Sequence, residues 1–331
     1  MNHFSNHLSI FLREYLPYDR GASQHTCETY AYTFQLLVCF AARRAKSQPS
    51  KLTLESINVS LVLAFLNHLE KERRNSARTR NARLAAIKAF FRYLEYRVPS
   101  CLDQARRIHA IPSKKIDEKL VDYLTREEMQ TLLDAPDLKK PSGIRDRAML
   151  YLAYAAGLRV SELVNLRLDQ LTLNSDPIIR ILGKGRRERV IPLWKQTAAA
   201  LRIWISVRVK TTVAPELFLN SQGNPMTRSG FEYILSKYVE ASINKQPSLA
   251  KKRVSPHVLR HTCAMHTLQA THDIRKVSLW LGHSDLKSTE IYLRADPSEK
   301  LEVLMSGNSL HLRRGSFKAP DKLLAMLKSK Q

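Results

Sequence analysis

The sequence predicts a mostly α-helical protein with one small β element: a helical bundle joined to an α+β domain. Three observations lead there. Apolar residues recur at three- and four-residue spacings through most of the chain. Clear strand-like alternation appears once, on either side of a Gly-Lys-Gly turn centred on Lys184. A stretch containing Pro99 and Pro112, without sustained periodicity, separates the two periodic regions.

The first hundred residues read as four amphipathic helices. "SNHLSIFLREYL" lines up Leu8, Phe11, Leu12 and Tyr15, and "TYAYTFQLLVCF" lines up Tyr30, Phe34, Leu37 and Val38. "NVSLVLAFLNHLEKE" adds Val62, Phe65, Leu66 and Leu69. "SARTRNARLAAIKAFFRYLEY" buries Leu84, Ile87, Phe91 and Leu94 and places Arg78, Arg80, Arg83 and Lys88 elsewhere on its surface. Four such helices make a small bundle over residues 1–110, followed by a linker at 111–123. The next domain, 124–305, opens with "LTREEM", where Thr125 and Glu128 form a capping box and Leu124 and Met129 a hydrophobic staple. "IRDRAMLYLAYAAGLRVSELVNL" reads as a buried helix, a break at Gly157 and a second helix capped by Ser161. "PIIRILGKGRRERVIPL" is a hairpin with a basic tip, and "ELFLNSQGNPMT" adds a short turn. The rest returns to helix, and a tail at 306–331 carries Leu323, Leu324 and Leu327 on one small face.

Charge speaks to partners. The chain has 54 Lys and Arg against 30 Asp and Glu, a formal net charge of +24, which favours nucleic acid or another anionic surface. Residues 71–107 hold eleven basic and three acidic residues, an imbalance that points to phosphate contact. No apolar run approaches the roughly 20 residues of a membrane span. Glu14 and the lack of a basic start argue against a signal peptide. The four scattered cysteines fit a reducing cytoplasm, with no disulfide and no cysteine metal site.

The stretch "SPHVLRHTCAMH" concentrates the chemistry. His257 and His261 are four residues apart and Arg260 lies three after His257, so a helix brings them to one face. Zinc is a poor fit. Val258 stands where a metalloprotease helix carries glutamate, and Arg260 would repel the cation. His261 and His266 read as ordinary packing or surface histidines. His257 and Arg260 have company: Arg159 after Gly157, Lys184 at the hairpin tip, His283 after Gly282, and Tyr292 nine residues on, beyond a cap at Ser288 or Thr289. These four companions sit at breaks between apolar segments. Two arginines can grip two non-bridging phosphate oxygens and stabilise a five-coordinate transition state. A lysine or histidine can protonate a departing alkoxide. A tyrosine hydroxyl helped by cations and a base can attack phosphorus, giving an ester that another hydroxyl reseals without ATP. The histidine-rich stretch is then a phosphate site.

The successive segments "AAGLRVSEL", "GKGRRERVIPL", "SPHVLRHTCAMH" and "LWLGHSDLKSTEIYLRA" resemble, in order and spacing, the boxes of the tyrosine site-specific recombinases, the phage integrase family. The resemblance covers roughly residues 124–300 and implies that family's catalytic domain. The basic first hundred residues resemble its helical core-binding domain. Carried over, it implies that Tyr292 is the nucleophile of a 3′-phosphotyrosine link, that Arg159 and Arg260 clamp the scissile phosphate, and that Lys184 is the acid for the 5′-oxygen. It gives His257 a part in proton transfer at the nucleophile and His283 a hydrogen bond to the phosphate. Glu162 supports the site, and His261 is structural. Where the family has glycine after "HTLQA", this chain has Thr271 and His272, which leaves the local turn open.

The resemblance further implies double-stranded DNA at a specific recombination site as partner, a homotetramer on two duplexes and a Holliday junction. It requires no cofactor and no metal, and it leaves room for an accessory protein or a second recombinase. The outcome would be integration, transposition or resolution of a mobile element. The tail is a candidate for docking on a neighbouring protomer. Two rival readings remain: a catalytically silent DNA-binding accessory protein on the same scaffold, and a type IB topoisomerase, which shares the phosphotyrosine chemistry. The full residue set argues against the first, and the separate helical domain and compact "LGH…IY" spacing argue against the second.

Overall fold

The computed structural model describes residues 4–117, 120–183, 188–208, 215–283 and 285–295. The chain divides into two compact units, Met1–Glu118 and Lys119–Gln331. Lys184 and the tail at 306–331 lie outside the described residues.

In the first unit α1 (Phe4–Ile10) runs on as a π-helical stretch, Phe11–Asp19. It is followed by α2 (Gln24–Arg44), α3 (Val59–Lys71), α4 (Ala77–Glu95) and α5 (Leu102–His109). Ser23, Asn58 and Ser76 open α2, α3 and α4 by accepting a backbone N–H three residues on. The apolar stripes meet in one core, with Phe11, Phe34, Phe65, Leu69, Ile87 and Leu94 all buried. Phe11 packs edge-on against Phe90 and Phe34, with centroids 5.2 and 6.0 Å apart.

Helix α5 has no counterpart in the sequence reading, because only Ala105 and Ile108 of its residues are buried, too few to make a stripe. Its end is held from α4. Lys88 Nζ donates to the carbonyls of His109 (2.8 Å) and Ile111 (2.6 Å), and Arg80 Nη1 to that of Pro112 (3.0 Å). Asn81 pairs twice with the backbone of Lys114, at 2.8 and 3.0 Å. Arg83 reaches Thr29 O and Thr33 Oγ1 and lies over the Tyr32 ring. This corrects the placement of three basic residues. Arg80 is 6% exposed, Arg83 and Lys88 are half-buried, and only Arg78 of the four stands in solvent. For Arg80 and Lys88 the physical reason is that carbonyls at and beyond a helix end have no partner of their own, and long basic side chains supply donors.

The second unit holds α6 (Arg126–Leu133), α7 (Pro141–Ala155), α8 (Val160–Val164), β1 (Leu171–Thr172), β2 (Ile178–Leu182) and β3 (Glu188–Pro192). It continues with α9 (Lys195–Val207), α10 (Arg228–Ile243), α11 (Pro256–Thr271), α12 (Ile274–Leu281) and α13 (Glu290–Ala295). The capping box forms at Thr125 and Glu128, with bonds of 3.2 and 2.8 Å. Helix α7 is buried nearly all round, through Ala148, Met149, Leu150 and Leu152. The sheet has order β1-β2-β3 and is antiparallel throughout, with Ile179 opposite Ile191 on its buried face. Strand β1, at two residues, is too short to alternate and so left no sequence signal.

One local expectation needs correcting, and one turn left open is defined. Helix α8 starts after Arg159 rather than at a Ser161 cap: Ser161 is exposed, and the Glu162 carboxylate accepts the Arg159 N–H at 2.9 Å. The turn after α11 keeps the glycine-like shape without glycine. His272 sits at φ 50°, in the left-handed region, and donates its N–H to Leu268 O at 2.7 Å. Among the described residues, no helix is long and apolar enough to cross a membrane.

Candidate active site

Two chain breaks place Arg159 and His283, and helices α11 and α13 carry Arg260 and Tyr292. Gly157, at φ 56°, ends α7 and lets the chain turn into α8, which presents Arg159 and Glu162. A Cβ at Gly157 would stand 2.6 Å from Leu281 Cδ2 and 3.1 Å from Cys263 Sγ, so this turn admits no other residue without movement. Gly282, at φ 64°, caps α12 and delivers His283. Its missing Cβ leaves room for Arg189, whose Cδ would lie 2.8 Å away.

Arg260, on α11, is 4% exposed. Its guanidinium donates to Gly157 O at 2.5 Å and Leu281 O at 2.8 Å, so the two glycine-marked turns and α11 are tied at one point. Two of its five N–H donors are used by these carbonyls. Burial, and then the like charge of Arg159, push Arg260 down to about 10, which leaves it charged near neutral pH. Glu162 is shared. It accepts Arg159 N and Nη1, each at 2.9 Å, and Arg189 Nη1 and Nη2 at 3.1 and 2.7 Å. Burial raises its pKa, but the hydrogen bonds and charge of Arg189, then those of Arg159, more than offset this and hold it below the ordinary glutamate value. Three guanidinium groups thus surround one carboxylate, and the surplus is positive.

Tyr292, on α13, is 1% exposed, and burial pushes its hydroxyl up to about 12 while Arg260 pulls the other way. Its Oη lies 3.0 Å from Nδ1 of His261. His261 is pushed down to about 4 by burial, by His257 and by Arg260. His257, exposed, stacks on His261 with centroids 6.3 Å apart. His283 shares a 2.8 Å hydrogen bond with Thr289 Oγ1, and burial with Arg260, Arg159 and Arg189 pushes it down to about 4. Both half-buried imidazoles are neutral near neutral pH. His266, bonded to Tyr154 at 2.8 Å, is a satisfied core histidine.

The structure therefore brings Arg159, Glu162, Arg260, His283 and Tyr292 into one cluster, with His257 at its exposed edge. Two members were missed. His261, set aside as structural, is the imidazole that touches Tyr292. The four-residue spacing to His257 was the available signal, but only the position of α13 decides which histidine meets the tyrosine. Arg189 is one of several basic residues after the hairpin tip, and nothing local distinguishes it. Chemically the cluster is an anion site beside a buried hydroxyl. Among the described residues no group of three or more His, Cys, Asp or Glu is placed to hold a metal ion.

Residues 122–299 match the phage integrase family, and residues 11–97 match the phage integrase N-terminal SAM-like domain. The chain belongs to the phage integrase family, the tyrosine recombinases. The putative integrase/recombinase y4rC of Sinorhizobium fredii is 40% identical over 322 residues, 97% of either chain. Tyrosine recombinase XerC of Pelotomaculum thermopropionicum is 37% identical over 295 residues, covering 86% of this chain and 92% of the relative. Two solved structures share the fold. XerH site-specific recombinase, in a post-cleavage complex with its palindromic difH substrate, aligns at TM-score 0.64 and 24% identity, covering 87% of this chain and 81% of that one. The Tn1549 transposon integrase in complex with circular intermediate DNA aligns at TM-score 0.67 and 17% identity, covering 93% and 100%.

Proposed function

We propose that this protein is a site-specific DNA recombinase that cuts and rejoins duplex DNA through a 3′-phosphotyrosine at Tyr292. The observation that carries this reading is a cluster of cations beside one tyrosine: Arg260 and Arg159 act on Tyr292, and His283 lies among Arg260, Arg159 and Arg189. That arrangement suits a phosphodiester, which carries one negative charge and gains another as phosphorus becomes five-coordinate.

In this mechanism Arg159 and Arg260 take the two non-bridging oxygens, and Glu162 holds Arg159 in place. The Tyr292 oxygen attacks phosphorus as its proton leaves by way of His257, the exposed imidazole of the pair. The bond from phosphorus to the 5′-oxygen breaks, and Lys184 gives that oxygen its proton. His283 hydrogen-bonds the phosphate. The phosphotyrosine ester keeps the energy of the broken bond, so a 5′-hydroxyl from a second duplex reseals it without ATP or metal. Two such rounds pass through a Holliday junction, on a homotetramer that holds two duplexes. Arg78, exposed at the start of α4, contributes phosphate contact from the first unit, which acts as the core-binding domain. Kinship with y4rC, an integrase/recombinase by name, and with XerC, a tyrosine recombinase, supports recombination; we set it in the cytoplasm, at the ends of a mobile element or in resolution.

The test is covalent trapping on nicked duplexes made from the DNA that flanks the gene, run in parallel with and without EDTA. The native chain should give a denaturation-resistant protein–DNA adduct and Tyr292→Phe should give none. An adduct from both chains would move the nucleophile elsewhere, and loss of the native adduct on adding EDTA would revive a metal.

A further inference from the structure

A tyrosine that is 1% exposed cannot meet a duplex phosphate where it stands, so α13 has to turn it outward. Something holds it inward meanwhile. The only hydrogen-bond partner of its hydroxyl among the described residues is Nδ1 of His261, 3.0 Å away, with the two rings edge to face at 5.6 Å. One helical turn earlier on α11, His257 is stacked on His261 but open to solvent. Helix α11 thus offers the tyrosine two imidazoles at different depths.

We propose that His261 is a positioning residue that stores the nucleophile: its Nδ1 accepts a hydrogen bond from the Tyr292 hydroxyl and keeps it withdrawn until DNA arrives. Engagement of the phosphate then exchanges this inner partner for the outer one, His257. The idea rests on the reading of Tyr292 as the nucleophile. The chemistry of the pair favours storage over proton transfer. A phenol pushed up to about 12 facing an imidazole pushed down to about 4 keeps its proton by many powers of ten. The charges around His261 act the same way, since His257 and Arg260 oppose its protonation and Asp122 alone favours it. His261 therefore stays neutral, with hydrogen on Nε2 and a lone pair on Nδ1.

The experiment acylates the DNA-free, full-length protein with N-acetylimidazole and maps Tyr292 by mass spectrometry. It also times adduct formation on the nicked duplex. His261→Leu removes the acceptor. His261→Asn returns an oxygen at the depth of Nδ1, whereas His261→Gln carries its oxygen one bond too far. Loss of one hydrogen bond should raise Tyr292 acylation about fivefold in the Leu and Gln chains. The Asn chain should stay near native protection, and the Leu and Gln chains should form adduct at the native rate or faster. His257→Leu should slow adduct formation while leaving Tyr292 protected. If the Leu chain fails to fold, the contrast between Asn and Gln decides alone. Native protection in the Leu or Gln chains overturns the storage role, as does exposure of Tyr292 accompanied by loss of adduct. Either result leaves Tyr292 as nucleophile, a reading that falls only if Tyr292→Phe still becomes linked to DNA.

Discussion

Replacing Glu162 by glutamine changes one atom and removes the single negative charge beneath three guanidinium groups. Each carboxylate oxygen accepts one bond from Arg159 and one from Arg189, four in all. A glutamine keeps one accepting oxygen, so two of those donors would face an amide NH2. The Glu162 and Arg189 side chains are 7% and 11% exposed, which leaves little water to compensate. Removing one partner from a buried ion pair costs about 3–5 kcal/mol. The Arg159 side chain is 34% exposed and can turn to solvent, which favours the lower end, about 3 kcal/mol. With a urea dependence of about 2 kcal/mol per molar, the unfolding midpoint at about pH 7 should fall by roughly 1.5 M. The pH dependence provides the sharper check. The folded-state pKa of Glu162 is depressed, so its contribution is fully present above the ordinary value near 4.5 and lost as pH falls through the depressed one. The native and Glu162→Gln curves should therefore converge in acid. A loss below about 1 kcal/mol, or a gap as wide at about pH 3 as at about pH 7, would refute the electrostatic account of this carboxylate.

Three further substitutions test other parts of the molecule. His272→Gly should stabilise the protein by about 0.5–1 kcal/mol in the same urea assay, because glycine adopts φ near 50° without the Cβ penalty; an unchanged or lower midpoint would mean that His272 contributes contacts beyond its backbone shape. Lys88→Ala should cost about 1–2 kcal/mol of stability by stranding the carbonyls of His109 and Ile111, whereas Arg78→Ala should leave stability alone and weaken duplex binding; gel-shift titrations at two salt concentrations beside urea curves separate the two effects.

Much of the fold was legible in the sequence because its signals are periodic and local. The stripe on α3 needs only Val62, Phe65, Leu66 and Leu69, and the β2–β3 hairpin only its alternation and a glycine-flanked turn. The Thr125 capping box was readable for the same reason. Elements with few buried residues left no pattern, which is why α5 and β1 were invisible. The basic face of α4 misled because charge in a sequence does not say which neighbour will use it. Arg80 and Lys88 satisfy backbone carbonyls about 20 to 30 residues ahead in the chain.

By itself the sequence determined the chemistry available to this protein. Arg159, Arg260, His283 and Tyr292 are each readable by residue type and by the short motifs that carry them, and no folding is needed to recognise a set suited to phosphate. The tertiary structure decided how that set is wired. It took three distant segments to place Arg189 on Glu162, to seat Arg260 between Gly157 and Leu281, and to bring α13 against His261 instead of His257. Hydrogen bonds and ion pairs act over about 3 Å, so which of two equivalent residues matters depends on packing that short sequence spacing does not encode.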